Sequence, residues 1–284
     1  MPASTIVTGM VLSAMPVGDY DKRLVILTKE LGKISAFAKG ARRPNSAFLA
    51  CSQPFSFGEF TLYAGRSSYN ITAAVISNYF AGLRENLDNL CYGLYFCEFA
   101  DYLTKEDDDD KDILKLLYQS LRALGETTIE APLIRAVFEL KMMVLNGEAP
   151  QVFQCVKCKW NSKEPNSLEE RERSSSWNSK EPNSLEERER SSQYPLLGDL
   201  AGYRFSAECG GILCEACKGH DKSAFRIGTS TLYTMQYIIS KEIENLYTFK
   251  VTDEVQYELN RCIKAHLDRY IEHEFKSMGM LRTL

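Results

Sequence analysis

The chain has 284 residues, 44% of them hydrophobic and 25% charged, with a net charge of −4. That length suits about two domains of ordinary size, and that balance excludes both a wholly disordered chain and a membrane-embedded class. Nine cysteines, an odd number, argue against a secreted disulfide framework and place the chain in a reducing compartment, the cytoplasm.

The first apolar stretch, Ile6 to Ala14, lacks a basic leader segment and is interrupted by Thr8 and Gly9, so it reads as a strand and not as a signal peptide. Period-two alternation then predicts five strands, Thr5–Ala14, Arg23–Thr28, Ile34–Lys39, Phe57–Ala64 and Ser68–Ile76. Pro16 and Gly18, Gly32 and Gly65 supply turns, and a longer polar connection, Gly40–Pro54, follows the third strand. Five short strands in about 80 residues suit a Greek-key barrel of the OB (oligonucleotide/oligosaccharide-binding) type, with an SH3-like barrel as the competing choice.

Beyond Ala81 the period becomes helical. Leu83, Leu87, Leu90, Leu94 and Cys97 mark a helix through Leu103. Four aspartates, Asp107 to Asp110, precede a second helix, Ile113–Leu124; acidic residues at a helix start are favoured by its dipole and need no ion. A third helix runs from Ile129 to Leu145, with Gly147 as its left-handed terminator. Two more are expected at Thr229–Leu246 and Asp253–Met278, the last ended by Gly279 with Met280 and Leu281 folding back.

Between the third and fourth helices lie two Cys-x2-Cys hooks, Cys155/Cys158 and Cys214/Cys217. Four thiolates complete the tetrahedron that zinc prefers and leave no open position, so the expected Zn2+ is structural. The hooks stand 55 residues apart, against about 15–20 in a simple ribbon. Residues 160–176 and 177–193 match at 16 of 17 positions, and without both copies 21 residues would separate the hooks. The duplicated, polar 17-mer reads as a solvated loop with no role of its own. Cys209 and His220 are near enough in sequence to act as spare ligands, while Cys51, Cys91, Cys97 and Cys262 fit buried positions.

The expected organisation is therefore an α+β multidomain chain. Residues 1–80 form an OB-fold DNA-binding domain, 81–154 the first part of a helical domain, 155–220 a zinc-ribbon-like insertion carrying the 160–193 repeat, and 221–284 the second part of the helical domain. Charge is divided unevenly along it. Residues 1–80 hold eight cations against four carboxylates, so the remainder is strongly acidic. Lys22, Arg23, Lys33, Lys39, Arg42, Arg43 and Arg66 fall at strand ends and loops, where a barrel presents its nucleic-acid groove. Phe37, Phe48, Phe55, Tyr63 and Tyr69 are interleaved with them and offer base-stacking surfaces, although the same alternation also describes core residues. No phosphate-binding loop, serine-hydrolase elbow or zinc-protease motif is present, so no catalytic residue is assigned and the chain reads as a non-enzyme. A zinc-stabilised adaptor that binds protein only is the alternative to a DNA-binding role.

Several runs carry a family resemblance. Residues 20–43 (YDKRLVILTKELGKISAFAKGARR) resemble the N-terminal barrel of the bacterial recombination mediators of the RecO family. Phe138-Glu139-Leu140-Lys141-Met142-Met143, followed by Gly147, Pro150 and the first hook, is similar to that family's helical core. Gly210-Gly211-Ile212-Leu213-Cys214 and Phe275-Lys276-Ser277-Met278-Gly279-Met280-Leu281 also match; the 17-residue duplication departs from the pattern. The resemblance implies a nucleoid-associated DNA-repair factor of the RecF-type pathway that binds single- and double-stranded DNA. It further implies strand annealing and loading of RecA onto DNA coated by single-stranded DNA-binding protein (SSB). RecR, the acidic SSB tail, RecF and RecA are the implied partners, with Arg135 and Lys141 as the basic residues nearest a tail site on the helical domain.

Overall fold

The protein is described here by a computed structural model, covering residues 4–65, 68–126, 128–159 and 202–281. It divides into two compact units: Met1–Ala149 with Tyr237–Thr252 and Tyr270–Leu284, and Pro150–Gln236 with Asp253–Arg269.

The first unit begins with five strands, β1 (Ser4–Val17), β2 (Asp21–Thr28), β3 (Gly32–Ala38), β4 (Phe57–Ala64) and β5 (Tyr69–Asn78). They close into a barrel in the order β1-β2-β3-β5-β4. The closure is parallel, through Ala36↔Tyr69 and Phe37↔Asn70, while every other pair is antiparallel. This is the OB order, and it decides against the SH3-like alternative. β1 is long because it serves two partners, with an irregularity between Val11 and Ser13 where it turns from β4 towards β2. The alternation seen in the sequence fills the barrel: Val7, Val11, Leu24, Ile26, Ile34, Ala36, Phe60, Leu62 and Ile71 are buried in one cluster.

Gly32 joins the barrel to the segment before the second helix. Its φ is +62°, and a Cβ there would stand 2.5 Å from the Lys105 carbonyl oxygen. The Lys33 amide donates to that same oxygen, and the Asp107 amide to Leu31. Only glycine fits such a contact without strain.

Three helices follow, α1 (Leu87–Leu103), α2 (Lys111–Glu126) and α3 (Ala131–Leu145). Asn86 caps α1 through its side chain to the Asn89 amide. α3 ends as the sequence predicts: Gly147 has φ +82°, its amide donates to Val144, and the Glu148 amide reaches Met143, the two bonds of a Schellman motif. Phe96 stacks on Phe138 at 4.2 Å, and Tyr95, Phe99 and Phe275 complete an aromatic core. Cys91 and Cys97 are buried, as is Cys51 in the β3–β4 connection.

The last two helices differ from expectation. α4 spans Thr229–Ser240 and stops there, with a single 3-10 turn at Ile243–Asn245. α5 spans Asp253–Tyr270, the chain then leaves the helix, and a short α6 runs Lys276–Leu281 straight through Gly279. Phe275 explains the break. It leaves the α5 register to stack on Phe99 at 4.9 Å, and Glu98 of α1 accepts hydrogen bonds from the Lys276 and Ser277 amides at the start of α6.

Glu98 makes this terminal contact sensitive to acid. Its carboxylate loses some solvation, but the donors of Ser277 and Lys276 outweigh that and hold its pKa below the usual value. The contact is at full strength above the ordinary glutamate pKa of about 4.3 and weakens as pH falls through the lowered folded value. We expect Glu98→Gln to cost about 1–2 kcal/mol at neutral pH and to flatten the loss of stability on acidification. Denaturant unfolding at pH 7 and below pH 4 measures both.

The second unit holds a small antiparallel sheet in the order β7-β6-β8, from β6 (Tyr203–Ser206), β7 (Gly211–Leu213) and β8 (Phe225–Ile227). Phe205 is buried against His266 of α5, whose Leu259, Cys262 and Ile263 are also buried. The repeated 17-mers, residues 160–193, lie outside the described residues. Among the described residues no helix is long and apolar enough to cross a membrane.

Candidate nucleic-acid interface and metal centre

Antiparallel pairing of β2 with β3 sets Lys22 opposite Ala38 and Arg23 opposite Phe37, at one end of the barrel. The chain leaves β3 there through Lys39 and Gly40, and Gly40 is fixed by its amide donating to Asp21 Oδ1 at 2.7 Å. The Arg42 amide donates to Tyr20 and its guanidinium to the Gly18 carbonyl at 3.1 Å. Arg43 lies over the Tyr20 ring, 5.0 Å from its centroid. The β1–β2 turn and the start of the β3–β4 connection are thus bound together, and they bring Lys22, Arg23, Lys39, Arg42 and Arg43 to one place. Lys39, Arg42 and Arg43 are exposed. Lys22 reaches back to the Ser52 carbonyl at 2.8 Å, and Arg23 donates to Ser35 Oγ at 2.7 Å.

The β4–β5 connection opens at the same end, because Ala64 pairs with Tyr69 and Tyr69 with Ala36. Arg66 belongs to that connection in sequence and lies outside the described residues. Lys33 does not join the group. It stands at the opposite end of β3, paired with the Asp101 carboxylate at 2.8 Å and bonded to the Asp101 carbonyl.

Of the interleaved aromatics, Phe55 is fully buried, Phe48 packs against the barrel core, and Phe37 and Tyr69 are half-buried, leaving Tyr63 exposed. The aromatic that strand alternation could not reveal is Tyr20, 52% exposed in the β1–β2 turn beneath Arg43. Its signal was position, a lone ring in a Gly-Asp-Tyr-Asp turn that runs directly into Lys22 and Arg23.

On the helical side, Arg135 is 3.7 Å from Glu139, a buried carboxylate that also accepts from the Tyr95 hydroxyl at 2.7 Å. Burial pushes the Glu139 pKa up, against the pull of Arg135 and Tyr95. Lys141 is buried and donates to the carbonyls of Ile238, Ile239 and Lys241 at the end of α4.

The two cysteine hooks converge in the second unit. Gln151 forms a parallel bridge with Gly211, with the Gln151 amide donating to Gly210 and the Ile212 amide to Gln151. A Cβ at Gly211 would lie 2.2 Å from the Gln151 carbonyl oxygen, so glycine is required for this approach. The Val156 amide donates to Ile212, which locks the first hook beside β7 and hence beside Cys214. The Sγ atoms of Cys155, Cys158, Cys214 and Cys217 all lie within 4.8 Å of one another, with Cys158 and Cys214 at 3.6 Å. Cys209 and His220 are not members of the group.

Among the four sulfurs, Cys155 sits where its anion is favoured, while Cys214 and Cys217 are pushed the other way. Burial opposes ionisation of Cys155, but the amides of Cys158, Cys214 and Lys157 outweigh it and bring its pKa down to about 7. Burial and the neighbouring sulfurs push Cys217 up to about 12, so a cation is what would ionise the full set. The donor set fits a single metal ion with closed coordination.

Family profiles agree with this layout. That described as Recombination protein O N terminal matches residues 1–80, and Recombination protein O C terminal matches 84–190 and 198–279. The chain is 33% identical over 265 residues to the DNA repair protein RecO of Alkaliphilus metalliredigens, covering 92% of this chain and 93% of that one. It is 30% identical to the DNA repair protein RecO of Symbiobacterium thermophilum and 26% to that of Acetivibrio thermocellus, each over 98% of this chain and 96% of the relative. An OB-type barrel, a helical region and a four-cysteine group, in that order and matched along nearly the whole length, make this chain a member of the RecO family of DNA repair proteins.

Proposed function

We propose that the chain is a non-enzymatic recombination mediator that binds DNA through its barrel and anneals complementary strands. The observation that carries this reading is the convergence of Lys22, Arg23, Lys39, Arg42 and Arg43 beside the β1–β2 turn, at the end where the β4–β5 connection also opens. In OB folds these two loops flank the nucleic-acid groove. Cations there displace counterions from phosphates and give affinity without sequence preference, and Tyr20 offers a ring on which a base can stack. Arg66, which belongs to the β4–β5 connection in sequence, is a further proposed DNA contact, while Lys33 anchors β3 to α1.

Annealing needs no nucleotide. Neutralising the phosphates of two strands lowers their repulsion, and base pairing then supplies the free energy. In this reading the four cysteines hold a structural Zn2+: Zn–S bonds of about 2.3 Å place tetrahedral sulfurs about 3.8 Å apart, which suits the observed group. The ion fixes the two hooks and takes no part in DNA chemistry. The protein acts in the cytoplasm in the RecF-type pathway, with RecR, RecF and RecA, on SSB-coated DNA. Arg135 on α3 is the candidate contact for the acidic SSB tail.

The test is a charge reversal, Lys39→Glu/Arg42→Glu/Arg43→Glu. Single-strand affinity should fall, and the slope of log affinity against log salt should drop by about 2 units, roughly 0.7 per lost phosphate contact. Fluorescence anisotropy across a salt series reads both. Unchanged affinity and slope would move the DNA face elsewhere and favour the protein-only adaptor.

A further inference from the structure

We propose that the cysteine knuckles, the two hooks with their turns, are a redox switch in which a hydroperoxide joins Cys158 to Cys214 and so releases the metal. The switch rests on the structural Zn2+ proposed above and adds to it a reversible chemical means of letting the ion go.

All nine cysteines lie among the described residues, and Cys158 alone of them is exposed. Cys51, Cys91, Cys97, Cys155, Cys217 and Cys262 are buried, and Cys209 and Cys214 are half-covered. Oxidation follows thiolate character and exposure, and zinc ligation holds sulfur as thiolate, so Cys158 is where a small oxidant arrives first. It sits in the turn that closes the first hook, between the exposed Lys157 and Lys159. Cys214 Sγ, on the other hook, stands 3.6 Å away. A disulfide brings its sulfurs to about 2.0 Å, so bonding the two needs a shift of roughly 1.6 Å. The other two sulfurs of the group are shielded. Cys155 is 1% exposed and accepts from the Cys214 amide at 3.5 Å, and Cys217 is 9% exposed. Cys209 is outside the group, with its amide donating to Ser206 Oγ at 2.9 Å.

Hydrogen peroxide is the only co-reactant the steps require. The Cys158 thiolate attacks one peroxide oxygen, the O–O bond breaks, and a sulfenic acid forms as hydroxide leaves. The Cys214 thiolate then attacks the sulfenyl sulfur, the S–O bond breaks, and a second hydroxide leaves. Two thiolates have lost two electrons, and the peroxide has taken them up. Cys155 and Cys217 remain as thiolates, two donors where a closed zinc site uses four. The new bond runs from one hook to the other. The hooks therefore stay tethered when the ion is lost, and a dithiol reductant that returns the two electrons restores all four donors.

The test treats full-length, reduced, zinc-loaded protein with hydrogen peroxide. A chromogenic chelator reads zinc release, and peptide mass spectrometry maps the disulfide. About one ion per chain should be released in step with one Cys158–Cys214 cross-link, and dithiothreitol with added zinc should reverse both. Cys158→His keeps a zinc-ligating side chain and should release its ion at least roughly tenfold more slowly, because the exposed sulfur is gone. If that variant does not hold zinc, the wild-type disulfide map decides alone. Cys209→Ser should release zinc at the wild-type rate. Cross-links confined to other cysteine pairs, release without a disulfide, or slowed release from Cys209→Ser would each overturn the switch. So would an ion retained while glutathione in the same mixture is fully oxidised. Zinc content measured before peroxide separates this failure from that of the structural ion: fresh reduced protein without zinc would overturn both.

Discussion

Cys217→Ser protein, or wild type stripped by a strong chelator, should lose the folded knuckles while the barrel keeps its affinity for DNA. The reason lies in how little else holds the hooks together. Their buried core consists of Cys155, Leu213, Cys217 and Ala224, with Val156 and Cys214 partly covered. Two of those four buried residues belong to the cysteine group itself, and so small a cluster cannot offset the ordering of two loops. In zinc-finger peptides a structural zinc supplies an apparent 10–16 kcal/mol of binding energy, which is about the whole folding free energy of such a module. We therefore expect about one zinc per chain in fresh reduced protein, none after Cys217→Ser, and protease cleavage near residues 151–159 and 211–222 in the stripped protein. Cys209→Ser and His220→Ala should each retain the metal, since neither side chain belongs to the group. Anisotropy with a single oligonucleotide should stay within about twofold if the barrel is the principal face. A metal-free native protein with protease-resistant knuckles would remove the ion from the fold.

The barrel was legible because its strands alternate and its turns are punctuated: Gly18 and Gly32 both take positive φ where the sequence demands a turn. The pairing that separates the OB order from the SH3-like one was not, since the β3–β5 contact rests on two residue pairs that leave no mark in either strand. The hooks were legible from spacing alone, because tetrahedral thiolate chemistry fixes the motif. The small sheet beside them was not, as β6 and β8 are four and three residues long and show no period. The long C-terminal helix failed for a different reason. Ile271 and Phe275 continue the α5 periodicity, and nothing local says that Phe275 is worth more among Tyr95 and Phe99, with Glu98 waiting to cap α6. Tertiary burial overrode a pattern that was locally sound. Tyr20 sits in a turn and belongs to no strand face, so only the Arg43 guanidinium over its ring gives it a place.

Lys141 carries the other large expected effect. It lies in the run Leu133 to Met143, buried almost throughout, where a charged side chain needs full compensation. The compensation comes from α4. The last carbonyls of a helix have no partner within it and gather partial negative charge. The three donors of the Lys141 ammonium meet three such oxygens, Ile238 at 3.3 Å, Ile239 at 3.0 Å and Lys241 at 2.6 Å. This also accounts for the end of α4 at Ser240, several residues before the apolar pattern runs out. Lys141→Met keeps the apolar stem and leaves the carbonyls bare, so it should cost about 3 kcal/mol, in the range for a buried charge-assisted bond lost with its partners left unsatisfied. The ammonium's pKa is lowered by burial, with Asp112 opposing. The unfolded chain therefore holds this proton more tightly than the folded one, and the lysine's own contribution makes stability rise with pH between the lowered value and the ordinary one of about 10.4. Lys141→Met should erase that rise. Denaturant titrations of both proteins at pH 7 and in the alkaline range measure the two effects. Stability unchanged to within about 0.5 kcal/mol, together with weakened binding of an acidic SSB-tail peptide, would instead make Lys141 a contact residue and not a helix clamp.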